Sequence, residues 1–296
     1  MEKKRFRGSM VAIVTPFQAD GSLDWGAMAR LIAMHIQEGT HALIVCGTTG
    51  ETPTLTAEER RALLTFSIKE AAGRIPVIAG TGTNNTVEAV AMSREAEDLG
   101  ADGLLVVTPA YNKPTQEGML HYYNAILSAT SLPVVLYNVP GRTASNLLPE
   151  TVAKLAEHPH VVGIKDATGN MMVASDIVEQ CGDRLDLLSG DDFTALALMA
   201  LGGKGWISVT ANIVPAQMVE MYNAFVAGDL AKARRLHYTL QPLNRAMFLQ
   251  SNPIPVKAAL SLMGHCKNTL RSPLMPMQGA SLEGLRTILR AQGLVD

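Results

Sequence analysis

The chain has 296 residues, 47% of them apolar, and a formal net charge of −2. There is no basic surplus to draw in nucleic acid, no acidic tail, and no apolar run near the roughly 18–20 residues of a membrane span. Cys46, Cys181 and Cys266 are far apart and odd in number, which argues against a disulfide framework or a paired-cysteine zinc site. The basic start MEKKRFRG lacks the apolar segment and cleavage site of a secretion signal and reads as a disordered leader. Together these features point to a soluble cytoplasmic protein.

One phrase then recurs: a short run rich in Val, Ile and Leu, a loop of small residues, and an amphipathic stretch. A strand is predicted at 10–15 and a helix at 24–38. A strand at 42–46 leads to a helix at 56–72, where Thr56 and Glu59 have the spacing of a capping box. The strand at 77–79 precedes a helix at 85–99 that Gly100 closes. Strands at 103–107, 134–137, 161–165, 185–188 and 206–209 alternate with helices at 115–129, 147–157, 170–180, 191–201 and 215–227. The last of these starts at Pro215 and stops at Gly228.

The strands are near-continuous in apolar character, as in a parallel sheet covered on both faces. Eight such units without a second-domain strand pattern favour a closed (β/α)8 TIM barrel over an open doubly wound sheet. Residues 1–228 are therefore assigned to an α/β barrel. Residues 229–296, with helices at 230–248, 254–263 and 282–292 and no strands between, form a small C-terminal helical extension.

Active sites of such barrels sit at the C-terminal ends of the strands. Five of those ends are polar: GTTGE at 47–51, TPAYN at 108–112, YNVPGR at 137–142, KDATG at 165–169 and SGDD at 189–192. Lys165 closes the apolar run VVGI, so its stem starts inside the barrel. An unpaired ammonium there is expensive, and a lysine relieved of its charge attacks carbonyl carbon. The competing reading is an ordinary ion pair with neighbouring Asp166. Tyr137, ending the preceding strand, can shuttle protons or simply pack for bulk. Thr48, Thr49 and Gly50 offer hydroxyls and N–H groups to a carboxylate, or form a plain turn. Arg142 can grip a second carboxylate in two-pronged fashion, or lie on the surface. His158 and His160, flanking Pro159, read as a solvated turn rather than a metal site. Gly80 and Gly82 in AGTGTNNT read as a tight turn rather than a phosphate cradle.

These motifs, with ISVTAN at 207–212 and NPIPVKAAL at 252–260, resemble the dihydrodipicolinate synthase / N-acetylneuraminate lyase family of class I aldolases over nearly the whole chain. The resemblance implies a Schiff base between Lys165 and pyruvate, with no metal and no cofactor. It implies a proton relay of Tyr137, Thr48 and Tyr111, the last reaching across a subunit interface. Thr49 would hold the pyruvate carboxylate, Arg142 the carboxylate of aspartate semialdehyde, and Gly190 and Ile207 would line the pocket. GTTGE and the arginine of YNVPGRT fit that acceptor better than the sugar acids of the sialic acid branch. Another pyruvate-dependent aldolase, or a barrel that binds a small acid without turnover, are the other readings. The assembly implied is a homotetramer, a dimer of tight dimers.

Family members inhibited by lysine carry a pocket at the tight-dimer interface. Asn84 and Glu88 match it, whereas Ala57, Arg60 and Ala110 stand where histidine, another polar residue and an aromatic residue are common. Weak or absent inhibition by lysine is the expectation.

Overall fold

The computed structural model describes residues 5–296. Its strands are β1 (Gly8–Ala12), β2 (Leu43–Val45), β3 (Val77–Gly80), β4 (Gly103–Val107), β5 (Val134–Asn138), β6 (Val161–Asp166), β7 (Asp186–Ser189) and β8 (Gly205–Ser208). They pair in parallel, each with the next, and β8 pairs with β1 to close the barrel. The open doubly wound sheet is thereby excluded.

Around the barrel run α1 (Trp25–Gln37), α2 (Ala57–Ala71), α3 (Thr86–Asp98), α4 (Gln116–Leu127), α5 (Pro140–Thr143), α6 (Pro149–Leu155), α7 (Met171–Cys181), α8 (Ala195–Ala200) and α9 (Pro215–Val226). The α2 capping box forms as expected: Thr56 Oγ1 accepts from the Glu59 N–H at 3.2 Å, and Glu59 Oε2 accepts from the Thr56 N–H at 3.0 Å. Beyond Gly228 come α10 (Leu230–Ala246), α11 (Ile254–Leu262) and α12 (Gly279–Ala291). Leu240, Leu243, Val256, Leu285 and Leu289 of these helices belong to the same apolar cluster as the outward faces of the strands.

Side chains alternate along each strand. Val134 and Leu136 face the helices, while Val135 and Tyr137 face the barrel interior with Met10, Ile44, Leu105 and Leu188. On β6 the alternation is interrupted. Val134 pairs with Val161 but Val135 pairs with Gly163, so Val162 is an extra residue, a β-bulge. Val161 faces out, Val162 faces in, and Ile164 faces out again. The slip puts Lys165, register partner of Tyr137, on the inner side. Without it, simple alternation from Val161 would place Ile164 inside and Lys165 outside.

Three expectations need correction. The first strand starts two and ends three residues earlier than predicted; the apolar run past Ala12 continues into the loop toward the barrel mouth. The helix expected at 191–201 begins only at Ala195, since Asp191 accepts from the Phe193 N–H at 3.2 Å and the Thr194 hydroxyl at 2.9 Å, building a loop. The leader reading fails for residues 5–7; residues 1–4 of that segment lie outside the described residues. Phe6 is buried among the inner barrel side chains, and Arg5 and Arg7 each donate to Asp186 at 2.7 Å.

Candidate active site

Lys165 and Tyr137 project from neighbouring strands into the barrel mouth, and both are buried. Lys165 Nζ lies 4.3 Å from the centre of the Tyr137 ring. Asp166 does not pair with it. As the next residue on the strand it points the other way, accepting from the Thr168 hydroxyl at 2.6 Å and from Asn138 Nδ2 at 3.5 Å. Burial raises the Asp166 carboxyl above its ordinary pKa, and its hydrogen bonds from Thr168 and Asn138 oppose that. Among the described residues no carboxylate stands within ion-pair distance of Lys165.

Gly190 gives this lysine its room. A Cβ there would sit 2.8 Å from Lys165 Cε and 2.8 Å from Ala167 Cβ, so any larger residue collides with the lysine stem. The Gly190 N–H donates to the Asp166 carbonyl at 2.7 Å, which fixes the loop after β7 against β6.

A cavity of about 600 Å³ opens over Lys165. Thr48, Thr49, Tyr137, Arg142 and Gly190 line it. Ile207 packs in the inner cluster beneath it, and Val209, two residues further along, lies on the cavity wall. Asp192 holds that wall in place. It is buried and accepts from the Val209 and Thr210 N–H groups at 3.0 and 2.9 Å, while burial raises its pKa.

Thr48 and Thr49 sit on a short 3-10 turn, Thr48–Gly50, just after β2. The Thr15 hydroxyl clamps that turn by donating to the Gly50 carbonyl at 2.7 Å. Glu51 follows in the left-handed conformation, φ 54°, and its buried carboxylate reaches the extension. There it meets Lys257 Nζ at 2.5 Å and accepts from the Arg271 N–H at 3.1 Å. The motif GTTGE thus ends in a tether to the C-terminal helices. Lys257, within the helix expected at 254–263, is wholly buried.

The extension also enters the site itself. Phe248, Ser251 and Asn252 line the cavity. Asn252 Nδ2 donates to Thr49 Oγ1 at 2.9 Å, and its backbone carbonyl accepts from Arg142 at 3.3 Å. The motif NPIPVKAAL was visible in the sequence, but no local signal ties its first residue to a threonine 203 positions away.

Tyr111 is not brought to this cavity. It stands 89% exposed, with φ +73°, held by its N–H donating to the Thr143 carbonyl at 3.2 Å. Beside the site lies a second cavity of about 750 Å³ that shares Thr48, Tyr137 and Arg142 with the first. Ala57, Arg60, Asn84, Glu88 and Ala110 all line it. Arg60 is buried there and paired with Glu95 at 3.3 Å. Elsewhere, the His158–His160 segment is the turn expected, with the His160 N–H donating to His158 Nδ1 at 3.2 Å. Gly80 and Gly82 allow close strand-end packing: Cβ atoms would meet the Cys46 carbonyl at 2.2 Å and the Val107 nitrogen at 2.3 Å.

Comparisons with known proteins agree in direction. The model of the dihydrodipicolinate synthetase family matches residues 5–292. A 4-hydroxy-tetrahydrodipicolinate synthase of Thermodesulfovibrio yellowstonii is 56% identical over 98% of this chain and 99% of its own. The crystal structure of dihydrodipicolinate synthase from Aquifex aeolicus superposes with a TM-score of 0.96, at 44% identity over 98% of this chain and 99% of that one. The chloride-inhibited dihydrodipicolinate synthase of Acinetobacter baumannii, solved with pyruvate, gives a TM-score of 0.96 at 46% identity over 98% of this chain and all of that one.

Proposed function

The chain belongs to the dihydrodipicolinate synthetase family, and from that premise we propose how its own residues divide the work. It is a lyase that condenses pyruvate with L-aspartate 4-semialdehyde to 4-hydroxy-tetrahydrodipicolinate, the first committed step of the diaminopimelate route to lysine.

Lys165 Nζ adds to the keto carbon of pyruvate, water leaves, and a protonated imine forms. That imine draws electrons from the methyl group, so a methyl proton becomes removable and the enamine attacks the aldehyde carbon. The substrate amine then adds to the imine carbon, releases Lys165 and closes the ring. Tyr137 and Thr48, with Tyr111 of a neighbouring subunit, carry the protons. Thr49 holds the pyruvate carboxylate, Arg142 holds that of the aldehyde, and Gly190 with the β8 end shapes the pocket. The observation that carries this reading is Lys165 itself, buried at a cavity mouth beside Tyr137 with no carboxylate partner among the described residues. The exposed Tyr111, turned away from its own cavity, supports a relay completed in an assembly, a homotetramer made of tight dimers. Residues 1–228 act as the catalytic barrel, 229–296 as the extension that braces it, and the enzyme works in the cytoplasm.

The test is an initial-rate assay with pyruvate and aspartate semialdehyde, together with borohydride reduction in the presence of pyruvate. Turnover, a pyruvyl adduct on Lys165, and a rise in the aldehyde KM of about 10–100-fold in Arg142→Ala are the expected results. Trapping without turnover would move the search to other aldehydes, and no trapping would end the imine reading. In the same assay lysine should inhibit weakly. Ala110 and Ala57 put only methyl groups on the wall of the second cavity where larger side chains would grip a ligand, and Arg60, paired with Glu95, places a cation there. Half-inhibition at low lysine concentration would overturn this.

A further inference from the structure

Asn252 hydrogen-bonds to both groups assigned to carboxylate binding, and it does so through different atoms. Its side-chain amide donates to Thr49 Oγ1 at 2.9 Å, whereas its backbone carbonyl accepts from the Arg142 guanidinium at 3.3 Å. Both Asn252 and Thr49 are buried, at 5% and 2% exposure, so neither bond is traded freely with solvent.

A threonine hydroxyl has one proton and two acceptor sites. With one acceptor site filled by the amide, the proton is left to point elsewhere, and among the described residues Thr49 Oγ1 donates to no protein acceptor. A hydroxyl held in this state is a donor prepared for an anion in the adjoining cavity, which Thr49 and Asn252 both line. Were a protein carbonyl in the amide's place, the same hydroxyl would spend its proton inward and turn a lone pair toward a carboxylate.

We propose that Asn252 is a positioning residue for pyruvate: its amide fixes the Thr49 hydroxyl as a hydrogen-bond donor to the substrate carboxylate, while its backbone alone supports Arg142. The proposal rests on the assignment of Thr49 to the pyruvate carboxylate. It makes the extension part of substrate recognition and predicts that the two substrates respond differently to one side-chain change.

Steady-state kinetics of the purified full chain test this. Asn252→Ala removes the amide and keeps the carbonyl. The pyruvate KM should rise about tenfold, the size expected for one hydrogen bond to a charged group. The KM for aspartate semialdehyde and kcat should stay within about threefold. Asn252→Asp is nearly isosteric but offers an acceptor and a like charge, so its pyruvate KM should rise further than that of Asn252→Ala. In a Thr49→Val background, Asn252→Ala should add less than about twofold, because there is no hydroxyl left to orient. Three results would overturn the proposal: both KM values rising together, kcat falling with the pyruvate KM unchanged, or the two substitutions multiplying independently. If Thr49→Val leaves the pyruvate KM unchanged, the assignment of Thr49 fails and the role of Asn252 falls with it. If Thr49→Val raises that KM while Asn252→Ala does not, only the positioning role fails.

Discussion

Among the described residues two lysines are buried, and they are opposites. Lys257, on α11, has everything an ammonium requires. Glu51 lies at 2.5 Å, the Thr269 carbonyl accepts at 2.9 Å, and the Phe17 ring centre stands 4.0 Å away. Burial pulls its pKa below the ordinary lysine value and Glu51 opposes the shift. Lys165, on β6, has the Tyr137 ring centre at 4.3 Å, no carboxylate partner among the described residues, and a cavity beside it. Equal burial therefore does not mean equal purpose. A satisfied cation fastens two parts of the chain, whereas an unsatisfied one is left with chemistry to do. The surroundings distinguish them, and no sequence window around either lysine contains those surroundings.

Truncating each lysine in turn separates the two roles most directly. Lys165→Ala should lower kcat/KM at least about 10⁴-fold, because it removes the covalent route. Its unfolding midpoint should stay at or above that of the parent, since no partner is left unpaired. A marked loss of stability would show that Lys165 is structural after all. Lys257→Met should do the reverse, leaving the Glu51 carboxylate buried without its lysine partner at a cost of about 3–5 kcal/mol in denaturant unfolding. Adding Glu51→Gln to Lys257→Met should recover part of that loss. If the double variant is as unstable as the sum of the singles, the pair is not coupled.

Tyr137→Phe sharpens the contrast at Lys165. It keeps the ring and removes the hydroxyl, so kcat should fall about 10²–10⁴-fold with little change in stability. An unchanged kcat would reduce Tyr137 to packing.

The smallest expected effect concerns a third buried base, His35, whose Nδ1 pairs with the Thr40 hydroxyl at 2.9 Å. Burial drops its pKa from 6.5 to about 3. Below pH 6.5 the unfolded chain takes up a proton that the folded chain refuses, so His35 costs stability progressively as pH falls toward 3 and costs nothing at neutral pH. Relative to His35→Gln, the parent should therefore lose stability as buffers go from pH 7 to 4.5, read from thermal midpoints. A pH-independent difference would mean that folding does not shift the His35 pKa, and burial would then not exclude its proton.

The barrel was legible because eight apolar runs with small-residue ends repeat along the chain, and the polar strand ends already named Lys165, Tyr137, Thr49 and Arg142. What was not legible depends on long separation or on phase. The Asn252–Thr49 bond spans 203 positions, and the Arg271–Glu51 bond spans 220. The place of Val209 on the cavity wall was not legible because a four-residue strand gives too little pattern to fix its depth. On β6 the run VVGI is apolar at every inward and outward position alike, so its direction could not be counted off.

The ambiguity of that run bears on how such a centre could arise or be built. A strand is a two-sided comb, and one added tooth exchanges its sides from there onward. The Val162 bulge is that added tooth, three residues before the lysine. Grafting Lys165 onto a regular barrel at the same distance from the strand start would aim it at the surrounding helices. A barrel whose lysine already faces those helices would need no new side chain to gain a reactive centre, only one more codon upstream.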